Sequence, residues 1–170
     1  MNKPIIAIAG MLAVALSASA QDSGAPPAIY KSNADIVAEL QAGATSSASA
    51  AGAAVRILPG ISVRQRSSSV EQFAVMHPYS IEIYRILEGS GELVTGGLLV
   101  GPIEVSETDS NIVRSRSGID GGLARNVSAG DILVLQPGTP HWFRRIDGES
   151  IIYMESRVNI ATHPVQFQMP

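Results

Sequence analysis

HPYSIEIYRILEG, residues 77–89, is the stretch whose reading decides the fold. Ile81-Glu82-Ile83-Tyr84-Arg85-Ile86-Leu87 has the composition of a β-strand. Strand side chains alternate between faces, so Glu82, Tyr84 and Ile86 share one of them. Gly89 and Gly91 read as the turn that ends this strand. His77 stands five positions before Glu82. In one continuous strand that odd spacing would set the two side chains on opposite faces. Pro78 breaks such a strand because it has no N–H for a ladder. A corner at 78–80 then lets His77 and Glu82 converge from neighbouring strands.

A second stretch has the same logic. In GDILVLQPGTPH, residues 130–141, a strand ends, Pro137-Gly138 reverses the chain, and His141 opens the next strand. Trp142 and Phe143 follow, so the histidine enters apolar surroundings.

Working outward, short β-type runs fill residues 55–157. The expected strands are Val55–Leu58, Ser62–Arg66, Gln72–Met76, Ile81–Leu87, Glu92–Thr95, Leu98–Ile103, Asp131–Leu135, Trp142–Arg145 and Ile151–Arg157. Gly60, Gly89-Ser90-Gly91, Gly96-Gly97, Gly121-Gly122, Pro137-Gly138 and Asp147-Gly148 punctuate them. Many short strands between glycine-rich turns indicate an all-β sandwich or barrel, and no strand–helix alternation supports a parallel sheet. Residues 104–121 read as a long polar loop in which Arg114 and Arg116 are solvated. Upstream, residues 21–31 read as extended. Ser32-Asn33 offers an N-cap for one short helix over Ala34–Leu40, with Ile36, Val37 and Leu40 on one face. Residues 41–54, nearly all Ala, Gly, Ser and Thr, read as a linker or loose edge segment.

These residues resemble the cupins. The first cupin motif is G-x5-H-x-H-x3-4-E-x6-G. Glu82 and Gly89 fit its second half, and His77 fits its second histidine. The second motif is G-x5-P-x-G-x2-H-x3-N, whose frame is matched by Gly130, Gly138 and His141. The resemblance covers about residues 53–160 and implies a double-stranded β-helix, or jelly-roll barrel, with one short N-terminal helix. It also implies a metal site. Three of the four usual ligand positions are filled, by His77, Glu82 and His141. The fourth is Val75, which cannot bind a metal. Gln136 replaces the motif proline and Arg145 the final asparagine.

Two imidazoles and one carboxylate resemble a facial triad with open coordination positions. The set suits Fe, Mn, Ni or Zn, and the Irving–Williams order does not choose among them. Tyr84 shares a face with Glu82 and is a candidate proton donor beside it. Phe143 and Tyr153 are candidate pocket walls. Trp142 is expected to pack under the helix. Arg64 and Arg66 share a face. Either they enter the mouth, making Arg64 a pocket residue, or both lie in solvent, the ordinary place for such a pair. Without a metal, Glu82 would be a buried carboxylate needing a partner, with Arg64 or Arg85 as the candidates. His163, before Pro164, reads as a surface residue.

The first twenty residues form a separate unit. Lys3, the apolar run Ile5–Leu16 and Ala18-Ser19-Ala20 have the three parts of a secretory signal peptide, cleaved after Ala20. The expected organisation is 1–20 signal peptide, 21–52 extension with helix and linker, and 53–170 barrel, secreted or periplasmic. The whole chain has 170 residues, 12 basic and 15 acidic, a net charge of −3. No basic stripe suggests nucleic acid. There is no cysteine, which excludes thiol nucleophiles, thiolate metal sites and disulfides. Two functions of different kinds follow. One is a divalent-metal-dependent enzyme, a dioxygenase or an isomerase or lyase, acting on a small oxygenated substrate. The other is a metal-free protein that binds a small molecule without converting it. The resemblance also implies a homodimer formed through outer strands.

Overall fold

The computed structural model describes residues 25–46 and 52–160. The expected signal peptide, its expected cleavage site and His163 lie outside the described residues.

The helix α1, Asn33–Ser46, is longer than its apolar spacing indicates. Ser32 caps it: the Asp35 amide donates to Ser32 Oγ at 3.1 Å. Ile36 and Leu40 pack on Val55, Val63, Ile57 and Ile152. The small residues after Leu40 continue the helix rather than forming a linker. They allow close approach to the sheet, since a Cβ on Gly43 would stand 3.1 Å from that of Ala53.

Among the described residues eleven strands follow: β1 Ala53–Leu58, β2 Ile61–Ser67, β3 Ala74–Met76, β4 Ser80–Thr95, β5 Leu98–Leu99, β6 Ile103–Val105, β7 Val113–Ser115, β8 Ile119–Asp120, β9 Leu123–Ser128, β10 Ile132–Leu135 and β11 His141–Asn159. The region expected to be one polar loop, 104–121, therefore contains strands, too short to show a period. Arg114 and Arg116 lie over the ring of Phe73, at 5.8 and 4.4 Å from its centroid.

Two long strands organise the sheet. β4 and β11 pair antiparallel from Ser80 opposite Asn159 to Thr95 opposite His141. The first half of β4 has β10 on its other side, and the second half has β9. The second half of β11 pairs with β2, which pairs with β1, while its first residue meets β3. β3 continues to β7 and β6. Two groups of strands thus share two bent members. Their inner faces meet in one core of Tyr84, Ile86, Leu93, Val127, Leu135, Phe143, Ile146, Ile151 and Tyr153. This is an all-β, two-layer jelly roll with one helix. Among the described residues its hydrogen bonds leave the sheet open rather than closing it into a barrel. No described helix is long and apolar enough to cross a membrane.

The glycines at 89–91 and 148 are bends within continuing strands, not the chain reversals expected of them. Trp142 does not lie under the helix. Its indole Nε1 donates to the Gln72 carbonyl at 2.9 Å. Its ring occupies the space where a Cβ on Gly118 would be, 2.7 Å away.

Gly89 has φ +78°, and a Cβ there would meet the Ser150 carbonyl oxygen at 2.5 Å. Gly89→Ala is expected to lower the unfolding free energy by ~2 kcal/mol or more. Urea unfolding checks this, and an unchanged midpoint would show that the bend tolerates a side chain.

Candidate metal centre

The strand alternation sets the inner face of the site. Along β4, Ser80, Glu82, Tyr84 and Ile86 are buried, while Ile83, Arg85 and Leu87 are exposed. The register of β4 and β11 places Arg157 opposite Glu82, Glu155 opposite Tyr84 and Tyr153 opposite Ile86. β2 adds Arg64 opposite Tyr153 and Arg66 opposite Ile151. A charged row therefore runs across the interior, and Arg64 and Arg66 are part of it, not in solvent.

The corner at His77 forms as its sequence indicates. Pro78 and Tyr79 make a turn between β3 and β4. Asn111 pins it: Asn111 Oδ1 accepts from the Tyr79 amide at 2.7 Å and Nδ2 donates to Ser80 Oγ at 2.6 Å. The Gly138 amide donates to the His77 carbonyl at 3.0 Å, so the Pro137-Gly138 turn is tied to the same corner. That tie brings His141, at the start of β11, beside His77. Val75 sits opposite His141 in the β3–β11 pair, next to the site without a donor.

His77, Glu82 and His141 are 4, 1 and 6 % exposed. One donor atom from each lies within 4.8 Å of the others. His77 Nε2 is 3.4 Å from Glu82 Oε1, and His141 Nε2 is 3.5 Å from Glu82 Oε2. Ligands bound at about 2.1 Å to a shared ion stand roughly 3–3.5 Å from one another, and both Glu82–histidine distances are in that range.

The orientation of the rings also fits. His77 Nδ1 is 2.6 Å from the Asn111 carbonyl oxygen and His141 Nδ1 is 3.1 Å from that of Thr139. A carbonyl only accepts, so each Nδ1 carries the proton and each Nε2 presents a lone pair toward Glu82. Backbone support of this kind fixes tautomer and ring angle in metal-ligating histidines.

Each donor atom also has a protein partner. Tyr84 OH donates to His141 Nε2 at 3.0 Å. Arg157 Nη2 donates to His77 Nε2 at 2.9 Å, and Arg157 Nε donates to Glu82 Oε1 at 2.8 Å. Arg157 Nη2 also reaches Glu155 Oε1 at 2.9 Å, and Glu155 Oε2 is 2.7 Å from Arg64 Nε. The carboxylate of Glu82 therefore pairs with Arg157, not with Arg64 or Arg85.

Burial dominates the electrostatics. It holds His77 down to about 3, with Arg157 and His141 adding to the effect, and His141 down to about 4. Both rings are neutral at pH 7, the form that can coordinate. Burial pushes Glu82 up to about 7 against the pull of Arg157. Tyr84 is raised well above its ordinary value by burial, so it is a donor throughout the physiological range.

The other candidate residues separate into two places. Tyr153 and Phe143 stack around Tyr84, with ring centroids 4.8 Å (Tyr84–Tyr153) and 5.3 Å (Phe143–Tyr153) apart. They fill the interior behind the site, and Arg66 Nε donates to Tyr153 OH at 3.2 Å. Arg64 instead lines a groove of about 630 Å³ with Arg56, Asp109, Glu155, Arg157 and Asn159. The Arg157 side chain stands between this groove and the triad. Sequence reasoning missed Arg157, Glu155 and Asn111. The first two have a signal: they alternate with Tyr153 on one strand face.

No protein-family model matches the chain, and no curated protein matches it. Solved structures do. The chain is similar to the Drosophila melanogaster CENP-C cumin domain, with 14% identity over 62% of this chain and 71% of that one, TM-score 0.31. It is similar to oxalate oxidase, with 22% identity over 59% of this chain and 42% of that one, TM-score 0.31. It is also similar to Peruvianin-I, a cysteine peptidase from Thevetia peruviana latex, with 15% identity over 61% of this chain and 57% of that one, TM-score 0.29. At these TM-scores the likenesses carry no argument, and the fold stands on the strand pairing above.

The buried triad has a pH signature in chelator. Between pH 6.5 and 4.5 the unfolded chain protonates both histidines, which the folded chain keeps neutral, while folded Glu82 alone keeps its proton. The unfolded state then binds more protons, so stability falls with acid. Below pH 4.5 the unfolded Glu82 is protonated as well, its opposing effect ends, and the fall steepens. His141→Asn should remove about one proton's worth of slope, roughly 1 kcal/mol per pH unit. Urea midpoints measured from pH 7 to 4 check this, and equal slopes would contradict the burial of His141.

Proposed function

We propose that the chain is an exported cupin that binds one divalent ion at His77, Glu82 and His141 and acts on a small oxygenated molecule, as a dioxygenase or as an isomerase or lyase. One observation carries this reading. Two Nε2 lone pairs and a carboxylate converge from three parts of the sheet, with both Nδ1 atoms tied to backbone carbonyls. Bound there, a cation would supply Lewis acidity toward a carbonyl, enol or water oxygen. The metal is Fe, Mn, Ni or Zn, and oxygen-dependent cleavage requires Fe or a similar redox-active ion.

The chain's own residues have defined tasks. His77, Glu82 and His141 would hold the ion. Tyr84 keeps its proton and stands beside His141, where it can donate to a developing oxyanion. Tyr153 and Phe143 fix the Tyr84 ring and keep water from the interior. The groove beyond Arg157 is the route by which a small molecule reaches the site, with Arg64 on its wall. The signal segment implies export, to the periplasm or the medium, and a catabolic or envelope substrate. The outer face of β4 and β10 exposes Ile83, Ile132 and Val134 by 38, 63 and 56 %, which supports a homodimer through that face.

Arg157 favours a second reading. Its guanidinium already compensates Glu82 and saturates His77 Nε2. A protein that keeps this arrangement in the presence of metals would be a receptor for a small molecule, not an enzyme.

Elemental analysis of the exported protein separates the two. Close to one ion per chain is expected, lost in His77→Ala, Glu82→Ala and His141→Ala and retained in Tyr84→Phe. A folded protein that stays metal-free after incubation with Fe(II), Mn(II), Ni(II) and Zn(II) would support the receptor. Turnover under anaerobic conditions then divides isomerase or lyase activity, which persists, from dioxygenase activity, which stops.

A further inference from the structure

Arg157 touches two of the three donor residues at once, and the atoms it occupies are the ones an ion would need. Its Nη2 donates to His77 Nε2 at 2.9 Å and its Nε to Glu82 Oε1 at 2.8 Å. An imidazole nitrogen has one lone pair, so His77 cannot coordinate while it accepts from Arg157, just as His141 must first release the Tyr84 hydroxyl, which only has to turn its O–H away. The fixed positive charge also repels an approaching dication. We propose that Arg157 is a latch that must leave His77 and Glu82 before a divalent ion binds, and that it thereby sets the affinity and exchange rate of the centre. The inference rests on the metal-binding reading of the triad.

The surroundings provide a second position for the guanidinium. Arg157 Nη2 already contacts Glu155 Oε1 at 2.9 Å, two residues earlier on the same strand face. The side chain is 18 % exposed and borders the groove, whose wall also carries Asp109, Glu155 and Asn159. Rotation toward the groove keeps the Glu155 contact, gains the acidic neighbourhood of Asp109, and frees both donor atoms. β11 is paired on both sides, with β2 and β4, so the movement is one of side-chain torsions.

The latch makes a counter-intuitive demand: removing a residue in contact with the site must strengthen metal binding. In the metal-free protein Arg157 compensates a buried carboxylate. Without it that state is less favourable, because an unpaired buried charge is costly. The bound ion takes over the same compensation. Lysine is a point charge that cannot span two acceptors as the planar guanidinium does, so Arg157→Lys should fall between.

Mn(II) binding to the full chain is measured by the electron paramagnetic resonance of free Mn(II), with Zn(II) competition, for wild type, Arg157→Gln, Arg157→Lys and His141→Ala. Thermal unfolding in chelator confirms that each variant is folded. The expected result is affinity at least about ten-fold tighter in Arg157→Gln, an intermediate value in Arg157→Lys, faster association in both, and no binding in His141→Ala. Equal or weaker affinity in folded Arg157→Gln, with wild type binding and His141→Ala not, overturns the latch and leaves the metal centre standing. Absence of binding in wild type and both Arg157 variants overturns the two together. If Arg157→Gln does not fold, Arg157→Lys decides alone, and wild-type affinity in it overturns the latch.

Discussion

A carboxylate with 1 % exposure sits in the middle of this sheet, and the arrangement around it follows from the need to compensate it. Burying an ionised group without partners is prohibitive, so Glu82 must be paired, protonated or bound to a cation. All the neighbours answer to that constraint. Arg157 arrives from the opposing strand and donates to Glu82, and Glu155 balances Arg157 with Arg64 behind it. The result is a polar row through an otherwise aromatic and aliphatic interior. Apolar residues of similar volume often serve a core at least as well as such a row.

The fold provides the geometry that the carboxylate requires. Two long antiparallel strands carry residues of both layers, so a register set at one end fixes contacts at the other. Glu82 meets Arg157 because Ser80 lies opposite Asn159, not through any local preference. The two histidines flank short turns that hydrogen-bond to each other at the His77 carbonyl and Gly138 amide. Turn backbone in this position offers carbonyls as well as side chains, and both Nδ1 protons use them. The rings are therefore held before any ligand arrives, which reduces the entropy lost on coordination.

Much of this was readable from the chain. The alternation around Glu82, the break at Pro78 and the Pro-Gly turn before His141 identify three residues that the structure brings within 4.8 Å. What escaped reading did so for physical reasons. Arg157 is 75 residues from Glu82, and only the sheet register joins them. An arginine at the end of an expected strand carries no mark of its partner, and the shared face of Arg64 and Arg66 leaves the mouth and solvent both open. Strands of two or three residues, such as β7 and β8, are too short for a period and merge into an apparent loop. Glycine at 89–91 and 148 has the same signature whether a strand reverses or bends, and here the partner strand follows the bend. The Ala- and Gly-rich stretch after Leu40 looked structureless by composition, while its small side chains let a helix lie close on β1.

The account stands or falls on where the histidine lone pairs point. Nitrogen-15 NMR of the imidazole rings in chelator at pH 7, followed by addition of Zn(II), observes this directly. The account predicts two neutral rings protonated at Nδ1, whose Nε2 signals both move on adding one equivalent of Zn(II), with the third histidine of the chain unaffected. Rings protonated at Nε2, or Nε2 signals indifferent to the ion, would mean that the three side chains meet only to satisfy one another.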